Sequence, residues 1–398
     1  EMLVCVTLGF LCGRTTIRRS LKWCKTHLEE LRKHMNLKYG IASPSTITRM
    51  LNGIDEELAL YAFMEWIGEI VESRNTHLAI DGKALCGATE KTKGETTPML
   101  LNVVETVRGL ILAQLPVDSK TNEITAIPEL LKLLDISGSI VTIDAVGTQT
   151  AIMEQIHEQG GHFVLTVKKN QPEAYEEIHT FMDKLGAEDL KRKKGEAMDP
   201  GMKEFLEKYE EISQMEKNRD RNEYRTCQIC KDASNLTKSQ KEWPHVQSIG
   251  RIKQVRIPKE KDSQGNDVTP SKEEFLEKGS RRIPAPSAGE GAGKDVQCTA
   301  LISDLILTAE ELGSIKRMHW SIENRLHHVL DDTFREDRSP AKKSRNNLSL
   351  IRKYAYNILR LAMYETGLAN IMTEMMDCFC DNAALRERYV FQGIASLY

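Results

Sequence analysis

Two aspartates stand at the ends of short apolar runs, and each could reach a crevice at the edge of a sheet. Asp81 closes the run 77–81, and Asp144 closes the run 139–144. Ligands bind at such edges, because buried strands end there next to a crevice. Two carboxylates that meet there repel each other and shift each other's pKa. A divalent cation that prefers oxygen ligands, such as Mg²⁺, would resolve that conflict.

A glutamate on a long predicted helix is the third candidate for the same chemistry. The helix covers residues 310–334, and its apolar stripe predicts one buried side. Residues three or four apart share a helix face, so Glu323 lines one side together with Lys316, His319 or Trp320, and His327. Such a polar edge suits a metal ion and a phosphate backbone. Two metal ions about 3.5–4 Å apart can activate an attacking oxygen and stabilise a leaving oxygen in phosphodiester chemistry.

Each of these signals has a more ordinary interpretation when it is taken alone. An aspartate after a strand is more often a helix cap or a loop residue than a ligand. A glutamate on a helix is usually just exposed. The hypothesis depends on the order of the parts, which is strand with Asp81, hairpin, helix, strand with Asp144, helix, strand, insertion and helix with Glu323.

Other classes of phosphate and ester chemistry lack their motifs in this sequence. Lys83 and Val146 occupy the second position of the Asp-x-Asp arrangement that aspartyl-phosphate enzymes use. The sequence contains no Gly-x-Ser-x-Gly, which disfavours an acyl-transfer hydrolase. It contains no Gly-x-x-x-x-Gly-Lys-Ser/Thr loop, so we expect no nucleotide cofactor.

The elements that must position these residues predict an α/β fold with added helical parts. Residues 1–74 favour an N-terminal helical domain, and residues 75–182 alternate strands and helices in the first part of a catalytic domain. Residues 183–295 differ in texture and predict a mixed, strand-containing insertion, with a mobile loop at 257–294. The second part of the catalytic domain then covers residues 296–345, and C-terminal helices cover residues 346–398.

The composition of the 398 residues, 40% hydrophobic and 28% charged, is that of an ordinary globular protein. A net charge of −3 gives the whole chain no nucleic-acid signal, although basic residues cluster near 14–25, 191–194 and 335–353. Each cluster is by default a solvated helix face. The single Cys-x-x-C, at Cys227 and Cys230, lacks the second pair that a zinc site needs. The apolar segment 2–12 is too short to span a bilayer and predicts a buried helix.

Several local motifs resemble those of a known family. Ile-Asp-Gly-Lys (80–83) and Thr-Ile-Asp-Ala (142–145) look like the first- and second-aspartate motifs of DDE transposases. Ser-Lys-Thr-Asn-Glu-Ile-Thr-Ala-Ile-Pro-Glu-Leu-Leu (119–131) closely resembles a signature of the ISAs-one family, which includes the H-repeat-associated proteins. Lys-Lys-Asn-Gln (168–171) is similar to the family's polar turn after the next strand. Trp-Ser-Ile-Glu-Asn (320–324), Leu-His (326–327) and Phe-Arg-Glu-Asp (334–337) resemble its third-carboxylate region, and Leu-Cys-Gly (11–13) with the helices after it resembles its N-terminal associated domain.

This resemblance covers roughly residues 3–365 and implies a ribonuclease H-like catalytic core, in which helices flank a mixed sheet. It implies that Asp81, Asp144 and Glu323 are a DDE triad that holds two Mg²⁺ ions, for which Mn²⁺ could substitute. The implied function is that of a bacterial insertion-sequence transposase, which binds the element ends and catalyses DNA cleavage and strand transfer. The alternative is a catalytically silent or defective DNA-binding relative. The candidate DNA contacts are Lys83, Lys168, Asn170, Gln171, His319, Asn324 and His327.

The implied partners are the terminal repeats of the element and the target DNA. The resemblance also implies a homodimer or larger assembly on DNA, no membrane association, and a cytoplasmic place at the nucleoid. The sequence departs from the broader insertion-sequence pattern, since Lys316 and His319 stand in place of Tyr and Arg, and Leu330 in place of Lys. His328 stands where the family often has Trp. These departures concern the contacts with terminal DNA more than the metal site.

Overall fold

The structure is a computed structural model, and it divides into two compact units. It describes residues 1–85, 97–117, 123–217, 221–236, 243, 245–258, 260–261, 267–268, 296–339, 341 and 343–392. Unit 1 comprises Glu1–Val141, Gln159–Gly161 and Met318–Tyr398. Unit 2 comprises Thr142–Glu158 and His162–Arg317.

Unit 1 begins with helices. They are α1 (Met2–Leu11), α2 (Ile17–Thr26), α3 (Leu28–Leu31), α4 (Pro44–Gly53) and α5 (Glu56–Gly68). The side chains of Thr16, Ser43 and Asp55 accept backbone N–H hydrogen bonds at the starts of α2, α4 and α5, which explains where these helices begin. Most of α1 is buried, which confirms the helix predicted for residues 2–12.

The strands of unit 1 carry the first candidate residue. They are β1 (His77–Ala84), β2 (Met99–Glu105) and β3 (Leu110–Val117), in the antiparallel order β3-β2-β1. The predicted hairpin is confirmed, and it turns at Gly109, whose φ of +75° favours glycine. β1 continues past Asp81 to Ala84, so that Lys83 lies on the same face of the strand as Asp81. Helix α6 (Glu123–Lys132) follows in this unit.

Unit 2 has a largely antiparallel sheet with a long helix packed against it. Its elements are β4 (Ile140–Ile143, whose first residues belong to unit 1), α7 (Thr150–Glu158), β5 (His162–Val167), α8 (Pro172–Lys194), α9 (Lys203–Glu207), β6 (Tyr209–Lys217), β7 (Arg221–Cys230), β8 (Ser248–Pro258), β9 (Glu260–Lys261), β10 (Asp267–Val268) and β11 (Val296–Ser303). The strand order is β4-β5-β11-β8-β7-β6, and a separate ribbon pairs β9 with β10. The pairs from β5 to β6 are all antiparallel, and α8 contacts β7, β8 and β11.

The predicted insertion contributes strands to this sheet. β6, β7 and β8 all lie within residues 183–295. Helix α8 runs through residue 183, so a domain boundary there would cut a continuous helix. Most of the loop predicted at 257–294 lies outside the described residues. The predicted domain boundaries at 74, 182, 295 and 345 remain predictions.

The predicted helix 310–334 is confirmed, but it changes geometry at the candidate glutamate. Helix α10 (Ala309–Ile322) continues into π-helical turns at Glu323–His327 and Val329–Thr333. Such π turns inside helices occur frequently at functional sites. A short 3₁₀ turn (Glu336–Arg338) leads to α11 (Arg345–Thr366), α12 (Met372–Asp381), α13 (Ala383–Arg386) and a last π turn (Glu387–Phe391).

Helix α11 is buried along most of its length and packs against α1, α5 and β3 in unit 1. The chain is therefore of the mixed α/β class that the sequence predicted. Among the helices that the structure describes, none combines the length and the apolar character needed to cross a membrane.

Candidate metal site

Asp81, Glu323 and His327 come together in unit 1. One potential ligand atom of each lies within 4.8 Å of the other two. His327 Nδ1 is 3.2 Å from Glu323 Oε2 and 3.8 Å from Asp81 Oδ2. Within the described ranges, no second group of three acidic, histidine or cysteine side chains meets this spacing. The structure thus joins two of the three predicted catalytic carboxylates, with a histidine that the sequence suggested as a DNA contact.

Two elements supply this group. β1 carries Asp81, which is half-buried. Glu323 begins the π-helical turn and His327 ends it, so both side chains reach the same point. The imidazole is buried, whereas 75% of the Glu323 side chain is exposed. The site therefore has a buried nitrogen donor on one side and an oxygen donor open to water on the other.

Burial controls the protonation of His327. It lowers the pKa of the imidazole, and the nearby Glu323 carboxylate opposes this only in part, so the pKa lies below its usual value. A neutral imidazole is the form that binds a metal. The Nε2 atom of His327 has no hydrogen-bond partner among the described residues, so the polar contacts of this ring fall on Nδ1, which faces the two carboxylates.

The donor set fits a divalent cation. Two carboxylates offer the oxygen ligands that Mg²⁺ and Mn²⁺ take, and Mn²⁺ accepts an imidazole nitrogen more readily than Mg²⁺ does. The three donors are already close enough to share one ion with small adjustments of the exposed Glu323 side chain.

Lys83 is buried in a network of charges instead of being exposed for DNA. Its Nζ lies 2.5 Å from Asp331 Oδ1 and 3.5 Å from both Glu336 Oε2 and Asp337 Oδ1. Burial lowers the pKa of Lys83, but the three carboxylates raise it more, so the ammonium stays charged. The ammonium is thus paired with carboxylates of the protein itself. The reason is the extra length of β1, which carries Lys83 inward beside the Phe-Arg-Glu-Asp stretch 334–337.

A second buried lysine lies under β2 and β3. Lys353 of α11 donates hydrogen bonds to Asn102 and Gln114. Asn102 pairs in register with both Asp81 on β1 and Gln114 on β3, so these side chains share one face of the sheet. Burial lowers the pKa of Lys353 to about 7. Sequence analysis missed this cluster, although Asn102 and Gln114, each in the middle of an apolar strand, were a signal for it.

The remaining predicted carboxylate, Asp144, lies in unit 2 with its own set of partners. It follows β4 and precedes a short 3₁₀ turn, Ala145–Gly147. Lys168 Nζ donates to both carboxylate oxygens, at 2.9 and 2.8 Å. Asn170 donates to the Ala145 carbonyl at 3.0 Å, and Gln171 donates to the Thr148 carbonyl. The polar turn 168–171 thus holds the loop that carries Asp144.

The carboxylate of Asp144 is kept ionised. Burial raises its pKa, but the hydrogen bonds and charge of Lys168, the Ala145 backbone N–H and the charge of Lys316 lower it more, so the net pKa is below its usual value. Lys316 is buried and donates to Thr166 Oγ1 at 2.8 Å, and the Thr166 carbonyl accepts from Thr148 Oγ1 at 2.7 Å. An ionised carboxylate of this kind is what a cation requires.

The other predicted residues are divided between buried and exposed positions. His319 is buried in unit 1, and Asn324 is exposed. Cys227 and Cys230 are buried free thiols three positions apart on β7, so their side chains point to opposite faces of the strand.

Comparison with known proteins decides the family. The profile described as Transposase DDE domain matches residues 72–358, and the one described as DDE_Tnp_1-associated matches residues 1–67. The chain belongs to the DDE transposase family. A DDE transposase domain implies a ribonuclease H-like fold, so the predicted fold class is confirmed.

Relatives from bacteria agree with this DDE transposase family. The "Putative transposase YncI" of Escherichia coli O157:H7 is 29% identical over 336 residues, which cover 84% of this chain and 74% of the relative. The "H repeat-associated putative transposase YhhI" of Escherichia coli K12 is 28% identical over 340 residues, which cover 84% of this chain and 78% of the relative. The "Putative protein YbfL" of the same strain is 29% identical over the same shares. The predicted resemblance to the H-repeat type is thereby confirmed.

Proposed function

We propose that this protein cleaves DNA at the ends of an insertion sequence and transfers the strands to target DNA, with Asp81, Asp144 and Glu323 as its catalytic carboxylates. The observation that carries the proposal is the meeting of Asp81 and Glu323, from distant parts of the chain, with His327 inside 4.8 Å. The ionised state of Asp144 in unit 2 supports its assignment as the third carboxylate. The order of the Asp81, Asp144 and Glu323 motifs along the chain resembles that of the family, which supports the assignment of all three to one triad.

The carboxylates would hold two Mg²⁺ ions, or Mn²⁺ in their place. When bound, such cations activate the attacking oxygen and stabilise the leaving oxygen of a phosphodiester. His327 Nδ1, 3.2 Å from Glu323 Oε2, would add a nitrogen donor beside that carboxylate. Asn170 and Gln171 keep the Asp144 loop in place through the Ala145 and Thr148 carbonyls. No covalent enzyme intermediate is required, so the proposal demands no nucleophilic side chain.

The proposed substrate is duplex DNA that carries the terminal repeats of the element, together with a target duplex. The exposed Lys168 and Asn324 are the candidate contacts that solvent reaches most directly, whereas His319 is buried. Two element ends must be brought together for transfer, so we propose a homodimer or a larger assembly on DNA. The reaction belongs in the cytoplasm, at the nucleoid.

The test is a cleavage and transfer assay on labelled DNA with the element ends, in Mg²⁺, Mn²⁺ or EDTA. The wild type is compared with Asp81→Asn, Asp144→Ala and Glu323→Gln. Glu310→Gln is the matched control, since Glu310 is an exposed glutamate near the start of the same helix. We expect metal-dependent 3′-hydroxyl ends with the wild type and the control, and none with the three variants, which should still fold and bind DNA.

Three outcomes would contradict the proposal. Tight end-binding without cleavage by the wild type would favour a catalytically silent DNA-binding relative. Cleavage that survives in the three variants, or loss of folding together with loss of activity, would make these carboxylates structural residues.

A further inference from the structure

Both oxygens of the Asp144 carboxylate are engaged by one lysine. Lys168 Nζ lies 2.9 Å from Oδ1 and 2.8 Å from Oδ2. Each of the two side chains is about half exposed, 54% for Lys168 and 44% for Asp144. The ammonium therefore lies between the two carboxylate oxygens, at the position that a cation bound to both oxygens would occupy. Water can reach both side chains.

The backbone beneath Lys168 is held by hydrogen bonds, whereas its side chain is about half exposed. Lys168 directly follows β5, and the backbone N–H of Gln171 donates to the Lys168 carbonyl at 2.9 Å. The side chains of Asn170 and Gln171 bind the loop after β4 at Ala145 and Thr148. Lys168 thus stands on an anchored turn, but its four-carbon stem can carry the ammonium to more than one position.

We propose that Lys168 holds the place of a divalent cation at Asp144 and exchanges with it, so that metal binding releases the ammonium to a DNA phosphate. This inference rests on the proposed function. Asp144 cannot give the same lone pairs to Lys168 and to a cation, so the two compete. The released ammonium lies beside the metal site on the exposed side of the turn, where a phosphate bound to that site would attract it. Lys168 then keeps Asp144 neutralised without metal and becomes a DNA contact with metal.

The competition predicts that removal of the ammonium strengthens metal binding. An exposed or half-exposed ion pair contributes little free energy, so we expect a gain in metal affinity of about two- to fivefold. A lysine that only supported the fold would act in the opposite direction, because its loss would loosen the Asp144 loop and weaken metal binding.

The first experiment measures Mn²⁺ binding to the full chain without DNA, from the signal of free Mn²⁺ in electron paramagnetic resonance. It compares the wild type, Lys168→Met, Asp144→Ala and the control Lys169→Met, which removes the neighbouring exposed lysine. We expect Asp144→Ala to lose a bound ion, Lys168→Met to bind that ion more tightly, and Lys169→Met to match the wild type. Equal or weaker binding by Lys168→Met would overturn the exchange while leaving the proposed function intact. Identical binding by the wild type and Asp144→Ala would overturn both.

The second experiment follows the released ammonium. Binding to a random-sequence duplex is measured against salt concentration, in Ca²⁺ and in EDTA. Each phosphate contact contributes about 0.9 to the slope of log K against log salt. We expect Lys168→Met to reduce the slope by about one in Ca²⁺ but not in EDTA, and Lys168→Arg to restore it. The same reduction in both conditions would show a lysine that contacts DNA regardless of metal, and would overturn the exchange.

Discussion

The imidazole of His327 adds nitrogen to a site whose other donors are oxygen. Mg²⁺ binds oxygen ligands almost exclusively, whereas Mn²⁺ also accepts imidazole. Because burial keeps this ring neutral, its nitrogen is available to a metal without the loss of a proton. The metal preference of the site should therefore depend on one buried residue that is not part of the proposed triad.

We expect His327→Gln to weaken Mn²⁺ binding by about tenfold or more, and Mg²⁺ binding by less. Calorimetric titration of each metal into the full chain measures both constants. His328→Gln is the matched control, because His328 is exposed and pairs with Asp332 at 3.1 Å. Equal losses for the two metals would mean that His327 positions Glu323 and does not bind the metal.

His77, at the start of β1, should make the fold sensitive to acid. Its ring is buried, with Nδ1 2.7 Å from Thr106 Oγ1, and burial lowers its pKa to about 4. Between pH 6.5 and 4 the unfolded chain binds a proton that the folded chain does not, so the free energy of unfolding falls as the pH falls through this window. The full effect is on the order of 3 kcal/mol.

Urea unfolding at pH 7, 5.5 and 4.5 checks this effect. We expect His77→Gln to lose part of the decrease in the free energy of unfolding that the wild type shows, while His179, whose pKa burial also lowers to about 4, keeps its own share. His328→Gln, at an exposed histidine, should retain the whole decrease. A decrease of the same size in His77→Gln would place the acid sensitivity elsewhere.

Residue types in sequence order were enough to select the candidate carboxylates. They did not predict which carboxylates the lysine side chains would pair with. Asp81 and Glu323 were selected from an apolar run and a helical stripe, and the structure brings them together. Lys83 was nominated for DNA because it stands in the first-aspartate motif, yet it is ion-paired and buried. Whether a lysine can contact DNA depends on which side chains pack against it. For Lys83 these include Glu336, which is distant in the sequence.

At the scale of elements, periodicity predicted which segments are helices and strands better than where they end. The hairpin of β2 and β3 and the strand β5 follow in the predicted order, and the helix α11 begins next to residue 346, where C-terminal helices were predicted to start. The apolar run that contains Asp81 was taken to end there, but β1 continues to Ala84 because its edge pairs with β2. The π turn at Glu323 was beyond prediction, since it depends on packing and not on residue preference.

The 3₁₀ turn Glu336–Arg338 should contribute strongly to the stability of unit 1. Glu336 is buried, 3.5 Å from Lys83 Nζ on β1 and 3.8 Å from Arg352 on α11. Burial raises the pKa of Glu336, but the charges of Arg352, Lys353 and Lys83 lower it more, so it stays ionised. Loss of its charge would leave the buried Arg352 and Lys353 without their acidic partner, which typically costs about 3–5 kcal/mol.

We therefore expect Glu336→Gln to lower the free energy of unfolding by about 3 kcal/mol in urea at pH 7. Asp337→Asn is the control, because that carboxylate also reaches Lys83 at 3.5 Å but is about one-third exposed, and its loss should cost under about 1 kcal/mol. Similar effects of the two variants would show that burial does not determine how much each carboxylate of this network contributes to the free energy of unfolding.

At the scale of the whole molecule, the net charge does not show that unpaired basic side chains are unevenly distributed along the chain. The net charge is −3, yet the three basic clusters differ in how much charge they leave free. In the cluster 191–194, Lys191 pairs with Glu188 at 2.7 Å and Lys193 pairs with Asp189 at 2.6 Å. In the cluster 335–353, Arg352 and Lys353 are buried. Helix α2 has no acidic residue, and it exposes Arg18, Arg19, Lys22 and Lys25.

This distribution predicts which cluster meets DNA, if DNA is the partner as proposed. No ion pair neutralises the four α2 cations within the described part of the chain, so each can replace a counterion on a phosphate. We expect the double variant Arg18→Gln, Lys22→Gln to reduce the salt slope of binding to a random-sequence duplex by about two. The control Lys191→Gln, Lys193→Gln removes the same number of charges from a cluster whose lysines are paired with carboxylates. It should change the salt slope by less than about one. Since both variants alter the net charge of the chain equally, equal changes in slope would mean that total charge, and not the free face of α2, governs the encounter with DNA.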